Sequence, residues 1–182
     1  LLDHYEIGFS HIFTEKIRGD LSFFYDNITD GLRFVSPPPP PPHYDNIGDY
    51  IARGIEAEVA VVPLHNLDIF AGAVYMNTTP GDVPHAPEYT LSTGIGYTLL
   101  EKLRFNGDAE YVAEQYVLNP RFAQMQEKVD NYFLLNCRVG YLVRYGSIPG
   151  ELFVAVENIT NEEYEYRPGY PMPGITFTAG FD

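Results

Sequence analysis

Long segments in which apolar and polar side chains alternate are the feature that most constrains what this chain can fold into. Between residues 102 and 111, the odd-numbered positions carry Leu, Phe, Gly, Ala and Tyr, whereas the even-numbered positions carry Lys, Arg, Asn, Asp and Glu. Successive side chains of a β-strand point to opposite faces of its sheet, so this period of two predicts a strand with one uncharged and one charged face. Helical periodicity is hard to find anywhere in the chain, and we therefore expect an all-β fold.

Nine segments with this alternation predict nine strands. They cover residues 4–13, 16–34, 49–62, 67–77, 88–99, 102–118, 129–144, 151–159 and 175–181. Several exceed the usual strand length of about 5–6 residues in globular proteins. Strands of this length suit a tilted crossing of a membrane, which takes about 9–11 residues.

The connections between the predicted strands alternate strictly between short and long. The short ones are residues 14–15, 63–66, 100–101 and 145–150, and the long ones are 35–48, 78–87, 119–128 and 160–174. In an antiparallel up-and-down meander, this order brings all short turns to one end of the sheet and all long loops to the other. Outer-membrane barrels have this asymmetry, whereas a β-sandwich has no reason to sort its loops in this way.

The composition excludes several classes of protein. The formal net charge of −14 argues against a nucleic-acid partner, which requires clustered Lys and Arg. The single cysteine, Cys137, excludes an internal disulfide, and five scattered histidines make a metal site improbable. No catalytic motif occurs, so we expect neither an enzyme nor a resident cofactor. No apolar run reaches the roughly 20 residues of a transmembrane helix.

The apolar faces of the predicted strands have two possible environments. In a soluble β-sandwich they pack against a second sheet, whereas in an outer-membrane barrel they meet lipid and the polar faces line a wet interior. The charged positions assigned to that interior are Lys16, Arg18, Asp20, Glu56, Glu58, Arg104, Asp108, Glu110, Asp130, Arg138 and Arg144. These side chains either guide a solute or, more simply, form a solvated and mutually paired lining.

The C-terminal stretch "ELFVAVENITNEEYEYRPGYPMPGITFTAGF", residues 151–181, resembles the last hairpin of a TonB-dependent outer-membrane receptor. Four further stretches, "YEIGFSHIF", "SFFYDNITDGL", "ARGIEAEV" and "HAPEYTLSTGIGY", resemble other strands of that family and follow in the family's order. The resemblance therefore covers the whole chain. It departs from the family pattern at Ile175, where an Arg is often found, and after Asp182, where members usually continue to a terminal aromatic residue.

The resemblance implies an antiparallel up-and-down transmembrane β-barrel, of which this chain supplies about nine strands. Residues 1–182 are then expected to form the C-terminal part of the barrel, with the plug domain and the N-terminal strands outside this chain. Nine strands are fewer than half of what the family uses, and they leave two open sheet edges.

The same resemblance implies a function in transport at the bacterial outer membrane. The expected activity is TonB-dependent uptake of a scarce nutrient, an iron–siderophore complex first, with cobalamin, haem or a glycan as alternatives. The expected partners are outer-membrane lipid, the bulky ligand, and the TonB complex acting through a plug domain not in this chain. Two other readings remain open: a small structural barrel without a transport role, and a soluble β-sandwich binding module.

Aromatic and basic residues near the long loops are the candidate ligand-binding residues. They are Tyr44, Tyr50, Arg53, Tyr116, Arg121, Tyr164, Tyr166 and Arg167. Ferric chelates are bulky, often anionic and often aromatic, and Arg forks and Tyr faces suit them. Packing of the loops and of an aromatic girdle is the alternative role for each Tyr. The six prolines at 37–42 predict a stiff polyproline II spacer, or a ligand for a partner domain.

Overall fold

The computed structural model describes residues 1–35, 41, 43–118, 126–146 and 148–182. These residues form eleven β-strands and no helix long and apolar enough to span a membrane. The strands are β1 (Leu2–Thr14), β2 (Ile17–Val35), β3 (His43–Leu64), β4 (Leu67–Thr79), β5 (Tyr89–Leu99), β6 (Leu103–Val112), β7 (Gln115–Leu118), β8 (Gln126–Val129), β9 (Tyr132–Tyr145), β10 (Ile148–Glu157) and β11 (Thr176–Phe181). The prediction of an all-β fold is confirmed.

Nine of the strands form one antiparallel sheet, in the order β1-β2-β3-β4-β5-β6-β9-β10-β11. Each strand pairs with the next along the chain, apart from the excursion through β7 and β8, which pair only with each other. The sheet is therefore the predicted up-and-down meander. Within the described residues, β1 and β11 each have a partner on one side only.

The short and long connections separate to opposite ends of this sheet. Tight turns join β1 to β2, β3 to β4, β5 to β6 and β9 to β10, and we call that side the short-turn end. The other connections define the long-loop end. The turn between β5 and β6 places both Leu100 and Glu101 at positive φ, 51° and 57°, with the Lys102 amide donating to the Leu99 carbonyl at 3.1 Å. This is the type I′ geometry, whose twist matches that of the flanking strands.

The register gives the sheet two chemically distinct faces, as the alternation predicts. The register of neighbouring strands puts one apolar residue of each strand on the same face: Ile7, Phe23, Ile55, Tyr75, Leu91, Phe105, Val139, Val154 and Phe177. The polar face carries Ser10, Asp20, Glu58, Ser92, Glu110, Arg138 and Glu151. The large side chains of the apolar face are exposed, and no second sheet of the described residues covers them.

The predicted strand 102–118 is not continuous: β6 ends at Val112, where the chain leaves the large sheet, and residues 115–118 form β7 outside it. The Ala113 amide still donates to the Tyr89 carbonyl at 2.9 Å, but β5 begins at Tyr89 and Pro87 lies just before it. Proline has no N–H for a ladder, so β6 has no partner on that side past Ala113. The predicted strand 129–144 is divided into β8 and β9 by residues 130 and 131, because the ladder with β6 ends at the pair Val112 and Tyr132.

The predicted loop 35–48 is shorter than expected. Strand β3 begins at His43, and the ladder between β2 and β3 continues to the pair Val35 and His43, with irregular register around Gly31 and Gly48. Of the predicted polyproline segment, only Pro41 lies among the described residues; its carbonyl lies 2.8 Å from Nδ1 of His43. The stiff spacer at 37–42 therefore stays a prediction.

The buried core of the described residues lies toward the long-loop end. Val112, Tyr132 and Leu134 form a buried cluster on the polar face, against which Tyr164 packs. Val117 within β7 and Val129 at the end of β8 are also buried. The strands are thus fixed most tightly where the long loops gather.

Candidate functional site

Three tyrosines meet at the long-loop end, on the polar side of the sheet, and we call them the tyrosine cluster: Tyr132, Tyr164 and Tyr166. Their ring centroids lie 5.0 Å apart for Tyr132 and Tyr164, 5.8 Å for Tyr132 and Tyr166, and 5.4 Å for Tyr164 and Tyr166. Two of these pairs are edge-to-face, an arrangement that the ring quadrupoles favour. Tyr132 is 5% exposed and Tyr166 is 44% exposed, so the cluster is anchored in the sheet and opens toward solvent.

The loop between β10 and β11 brings two of these tyrosines to the sheet, and Asn158 holds that loop at both ends. The Asn158 side-chain amide donates to the carbonyls of Glu162 at 2.9 Å and Pro173 at 3.2 Å, and its oxygen accepts from the Glu162 amide at 2.8 Å. Asn158 is buried and has a φ of 51°. Asn tolerates this left-handed conformation better than most residues, so the geometry suits its side chain.

A second asparagine, Asn136, ties that loop to the polar face. Its side-chain oxygen accepts from the Asn158 amide at 2.9 Å, and its side-chain nitrogen donates to Asp108 at 2.7 Å. The hydrogen bonds therefore run from β6 through β9 into the loop that carries Tyr164 and Tyr166. This continuity places the tyrosine cluster on a rigid support.

Burial favours the neutral form of the Tyr164 phenol. Burial first, and then the hydrogen bond with Tyr166, raises the pKa of Tyr164 above its ordinary value. A phenol that stays protonated offers an O–H donor as well as an aromatic face. Tyr164 can therefore offer a ligand both an aromatic face and a hydrogen-bond donor.

The β7–β8 hairpin lies beside the cluster at the same end of the sheet. The Tyr116 carbonyl accepts from the His85 amide at 2.8 Å, which links the hairpin to the β4–β5 loop. Lys128 Nζ lies 2.6 Å from Glu114 Oε1, and this exposed pair closes the base of the hairpin. Lys128 also borders a recess of about 270 Å³ that Tyr164 and Pro171 line. The hairpin and the β10–β11 loop thus meet at this recess, and the β4–β5 loop contacts the hairpin.

The predicted ligand-binding residues divide into those the structure gathers at this site and those it does not. Tyr164 and Tyr166 belong to the tyrosine cluster, and Tyr116 lies in the adjacent hairpin. Arg167 follows in the same loop and is exposed. Tyr44 and Tyr50 lie in β3 rather than in a loop, away from the cluster along the sheet. Arg121 lies outside the described residues.

Arg53 is a strand residue rather than a loop residue, as the predicted strand 49–62 expects. It lies within β3, and its register partners are Tyr25 on β2 and Asn77 on β4. It shares its face with Ile55 and Val59, so its side chain projects from the apolar face.

Sequence reasoning missed Tyr132, the buried member of the cluster. It is the first residue of β9 and is paired with Val112 of β6. Its signal was present in the alternation, which assigned Tyr132 to the polar face with Asp130 and Asn136. An aromatic residue on a polar face at a strand end is expected to have a partner that covers it. Only the conformation of the β10–β11 loop shows that this partner is Tyr164.

An ion-pair network lies on the same polar face, nearer the short-turn end. Glu151, 7% exposed, accepts from Arg104 at 2.9 Å and from Arg138 at 3.1 Å, and Arg138 also pairs with Asp182 at 2.5 Å. The Arg138 guanidinium also lies 3.8 Å from the centroid of Phe153. Arg104 and Arg138 each have an acidic partner, which is what a solvated and mutually paired lining would show. Among the described residues, no group of His, Cys, Asp or Glu side chains could hold a metal ion.

Comparison with known proteins gives one family. The family described as "TonB dependent receptor-like, beta-barrel" matches residues 2–159. No curated protein matches the chain in sequence.

Three of the solved structures with a similar fold, each from a different bacterium, have low sequence identity to this chain. FpvA of P. aeruginosa bound to pyoverdines superposes with a TM-score of 0.74 at 16% identity, over 99% of this chain and 26% of that one. The ferric preacinetobactin receptor BauA of Acinetobacter baumannii gives 0.70 at 18%, over 99% and 29%. The ferric-catecholate import receptor Fiu of E. coli K12, in its closed form, gives 0.69 at 16%, over 97% and 26%. The chain thus spans between a quarter and a third of these proteins.

Proposed function

The chain belongs to the TonB-dependent receptor family as a segment of its β-barrel, and from this premise we propose that it forms part of the wall of a nutrient receptor in the bacterial outer membrane. The proposed cargo is a ferric siderophore, with cobalamin, haem and a glycan as the alternatives within the family. In this proposal the exposed apolar face meets lipid, the polar face lines the lumen, and the long-loop end faces the cell exterior.

We further propose that residues 1–182 are the C-terminal part of a larger barrel. The supporting observations are that β1 and β11 each have a partner on one side only within the described residues, and that the chain covers 26% of FpvA. A plug domain and further strands from outside this chain would complete the receptor, and the TonB complex would act through that plug.

The tyrosine cluster is the observation that carries the cargo proposal. It lies at the long-loop end, on the polar side, beside the mouth that a complete barrel would have, and Tyr166 presents an exposed ring there. Iron chelates of the siderophore type present planar, often aromatic groups, for which edge-to-face tyrosines and phenolic donors are suitable partners. The structures of similar fold named above are, by their own descriptions, receptors of ferric chelates.

The test is ligand binding by the full polypeptide after Tyr164 or Tyr166 is changed to Ala. Truncation of an aromatic contact of this kind costs more than about 1 kcal/mol, so we expect the Kd for a ferric catecholate to rise about tenfold. Iron-limited cells expressing these variants should take up less labelled chelate.

Tyr170→Ala is the matched control, because Tyr170 lies in the same loop, is 61% exposed and lies outside the cluster. It should bind as the unchanged protein does. Tyr164→Phe should bind nearly normally if stacking rather than the hydroxyl dominates. Equal binding by all the Ala variants and the unchanged protein would contradict the proposed site.

A further inference from the structure

Arg53 occupies an unusual position, since it is an arginine on the apolar face of a sheet. Residues 55, 57, 59 and 61 of the same strand, which share its face, are Ile, Ala, Val and Val. Its register neighbours on the adjacent strands are Tyr25 and Asn77, and Tyr75 stands next to Asn77 along β4 on this face. Arg53 thus lies near the long-loop end, where the apolar face gives way to polar residues.

The guanidinium of Arg53 has no acidic partner among the residues that the structure describes. Three other strand arginines, Arg18, Arg104 and Arg138, form ion pairs, and all of these pairs lie on the polar face. On the apolar side, Asp49 of β3 accepts a hydrogen bond from the Asp30 amide, and Asp3 of β1 lies two strands away from Arg53. The positive charge of Arg53 is therefore available to an anion outside the protein.

Arg53 borders a surface recess of about 500 Å³, which we call the rim recess. Its walls on the apolar face are Phe23, Tyr25, Ile55, Tyr75 and Asn77. The recess therefore combines one unpaired guanidinium, an amide, and the rings of two tyrosines. Phosphate oxygens suit this set, because Arg offers a planar fork of donors and the other groups add further hydrogen bonds.

A second depression, the apolar groove, begins one register row further toward the short-turn end. Its volume is about 560 Å³, and it exists because small side chains occupy neighbouring strands: Ala57, Ala71, Ala73 and Ala109. Leu91, Tyr111 and Phe133 form its taller border. Arg53 and Ala57 are four residues apart along β3, which is about 13 Å at the rise of a strand. A lipid with its headgroup beside Arg53 would therefore reach Ala57, and so the apolar groove, with the first part of its acyl chain.

We propose that the rim recess and the apolar groove together bind one phosphate-bearing lipid. Its phosphate contacts Arg53 and one acyl chain lies over the four alanines. The proposal rests on the membrane location proposed above. Charge complementarity supports this occupant, because an unpaired arginine on a lipid-facing surface has the anionic headgroup as its accessible counter-ion. The polar face and its tyrosine cluster lie on the other side of the sheet, so this site is distinct from the nutrient site.

Native mass spectrometry of the full polypeptide tests the proposal. The protein is released from detergent in the presence of equal amounts of phosphatidylglycerol and phosphatidylcholine with the same acyl chains. We expect the unchanged protein to retain phosphatidylglycerol preferentially. Arg53→Gln should lower that preference about fivefold, the effect expected from one basic residue near an anionic headgroup. Arg53→Lys should keep part of it, because the charge remains while the fork is lost.

Arg18→Gln is the matched control, since Arg18 lies on the polar face of the neighbouring strand β2 and should leave lipid retention unchanged. Ala73→Leu, which fills the groove and leaves Arg53 intact, should reduce phosphatidylglycerol retention. This variant tests the lipid site if Arg53→Gln fails to fold.

Equal retention of the two lipids by the unchanged protein would refute the site. Displacement of the lipid by soluble glycerol phosphate would also refute it, because the ligand would then be a free phosphate. Neither result would affect ligand binding at the tyrosine cluster, which is measured separately.

Discussion

Asn158 shows how one side chain can organise a long connection. Its left-handed backbone turns the chain out of β10, and its amide group then bonds to residues near both the start and the end of the following loop. Because the side chain is 4% exposed, water cannot replace these bonds if the amide is removed. The position of Tyr164 and Tyr166 therefore depends on a residue that contacts neither ring.

We expect Asn158→Ala to loosen the loop while leaving the sheet intact. Leaving buried polar groups unpaired costs about 1–3 kcal/mol, so amides between residues 159 and 175 should exchange with solvent tenfold faster or more. Hydrogen exchange of the protein in detergent measures this. Asn131→Ala is the control, because Asn131 is exposed. Unchanged exchange in the loop of the Asn158 variant would show that other contacts hold it.

The turn at Leu100 and Glu101 is a second place where single residues matter. Both adopt positive φ in a type I′ turn, although neither is of the Asn or Gly type that this turn prefers. Replacing the pair by Asn-Gly should raise the thermal unfolding temperature, since each residue with a Cβ in this conformation costs about 1 kcal/mol. Thermal melting followed by circular dichroism is the measurement. The pair Gly-Pro at these positions should lower the unfolding temperature, because proline cannot adopt the positive φ of residue 101.

At the scale of the strands, the two faces of β5 make the environment of the sheet testable. Ile95 projects from the apolar face near the middle of the strand, and Ser92 projects from the polar face. A lysine facing lipid near the bilayer midplane costs about 2–4 kcal/mol, whereas a lumenal lysine stays hydrated.

Ile95→Lys should therefore lower the free energy of unfolding in lipid vesicles by about that amount, and Ser92→Lys should change it little. Denaturant titration of the refolded protein gives both values. If the two substitutions cost the same, the apolar face does not meet lipid, and the assignment of the faces to membrane and lumen fails.

At the scale of the whole molecule, the exposed apolar face predicts how the protein behaves in solution. Contiguous exposed apolar surface of this extent is rare in soluble monomers and normal for a lipid-facing wall. We expect the polypeptide to stay with membranes during alkaline extraction, to require detergent for solubility, and to migrate differently on a gel after heating. A folded monomer in buffer without detergent would contradict the membrane location.

Much of the fold could be predicted because it depends on local patterns. The period of two located all nine strands of the large sheet. The lengths of the connections predicted that short turns lie at one end of the sheet and long loops at the other. Both follow from side-chain direction and chain geometry. The strand boundaries near residues 43, 112 and 132 were not predicted correctly. A strand ends where its neighbour stops offering backbone partners, and that depends on other parts of the chain.

The alternation of this sequence by itself determined an antiparallel sheet with an apolar face and a polar face, because the direction of each side chain follows from its position in a strand. Only the tertiary structure decided which residues share a site. Tyr132 and Tyr164 are 32 positions apart in the sequence, and only the register places Arg53 beside Tyr25 and Asn77. Such groupings depend on the register of neighbouring strands and on loop folding, where a few distant hydrogen bonds, such as those of Asn158, select one arrangement.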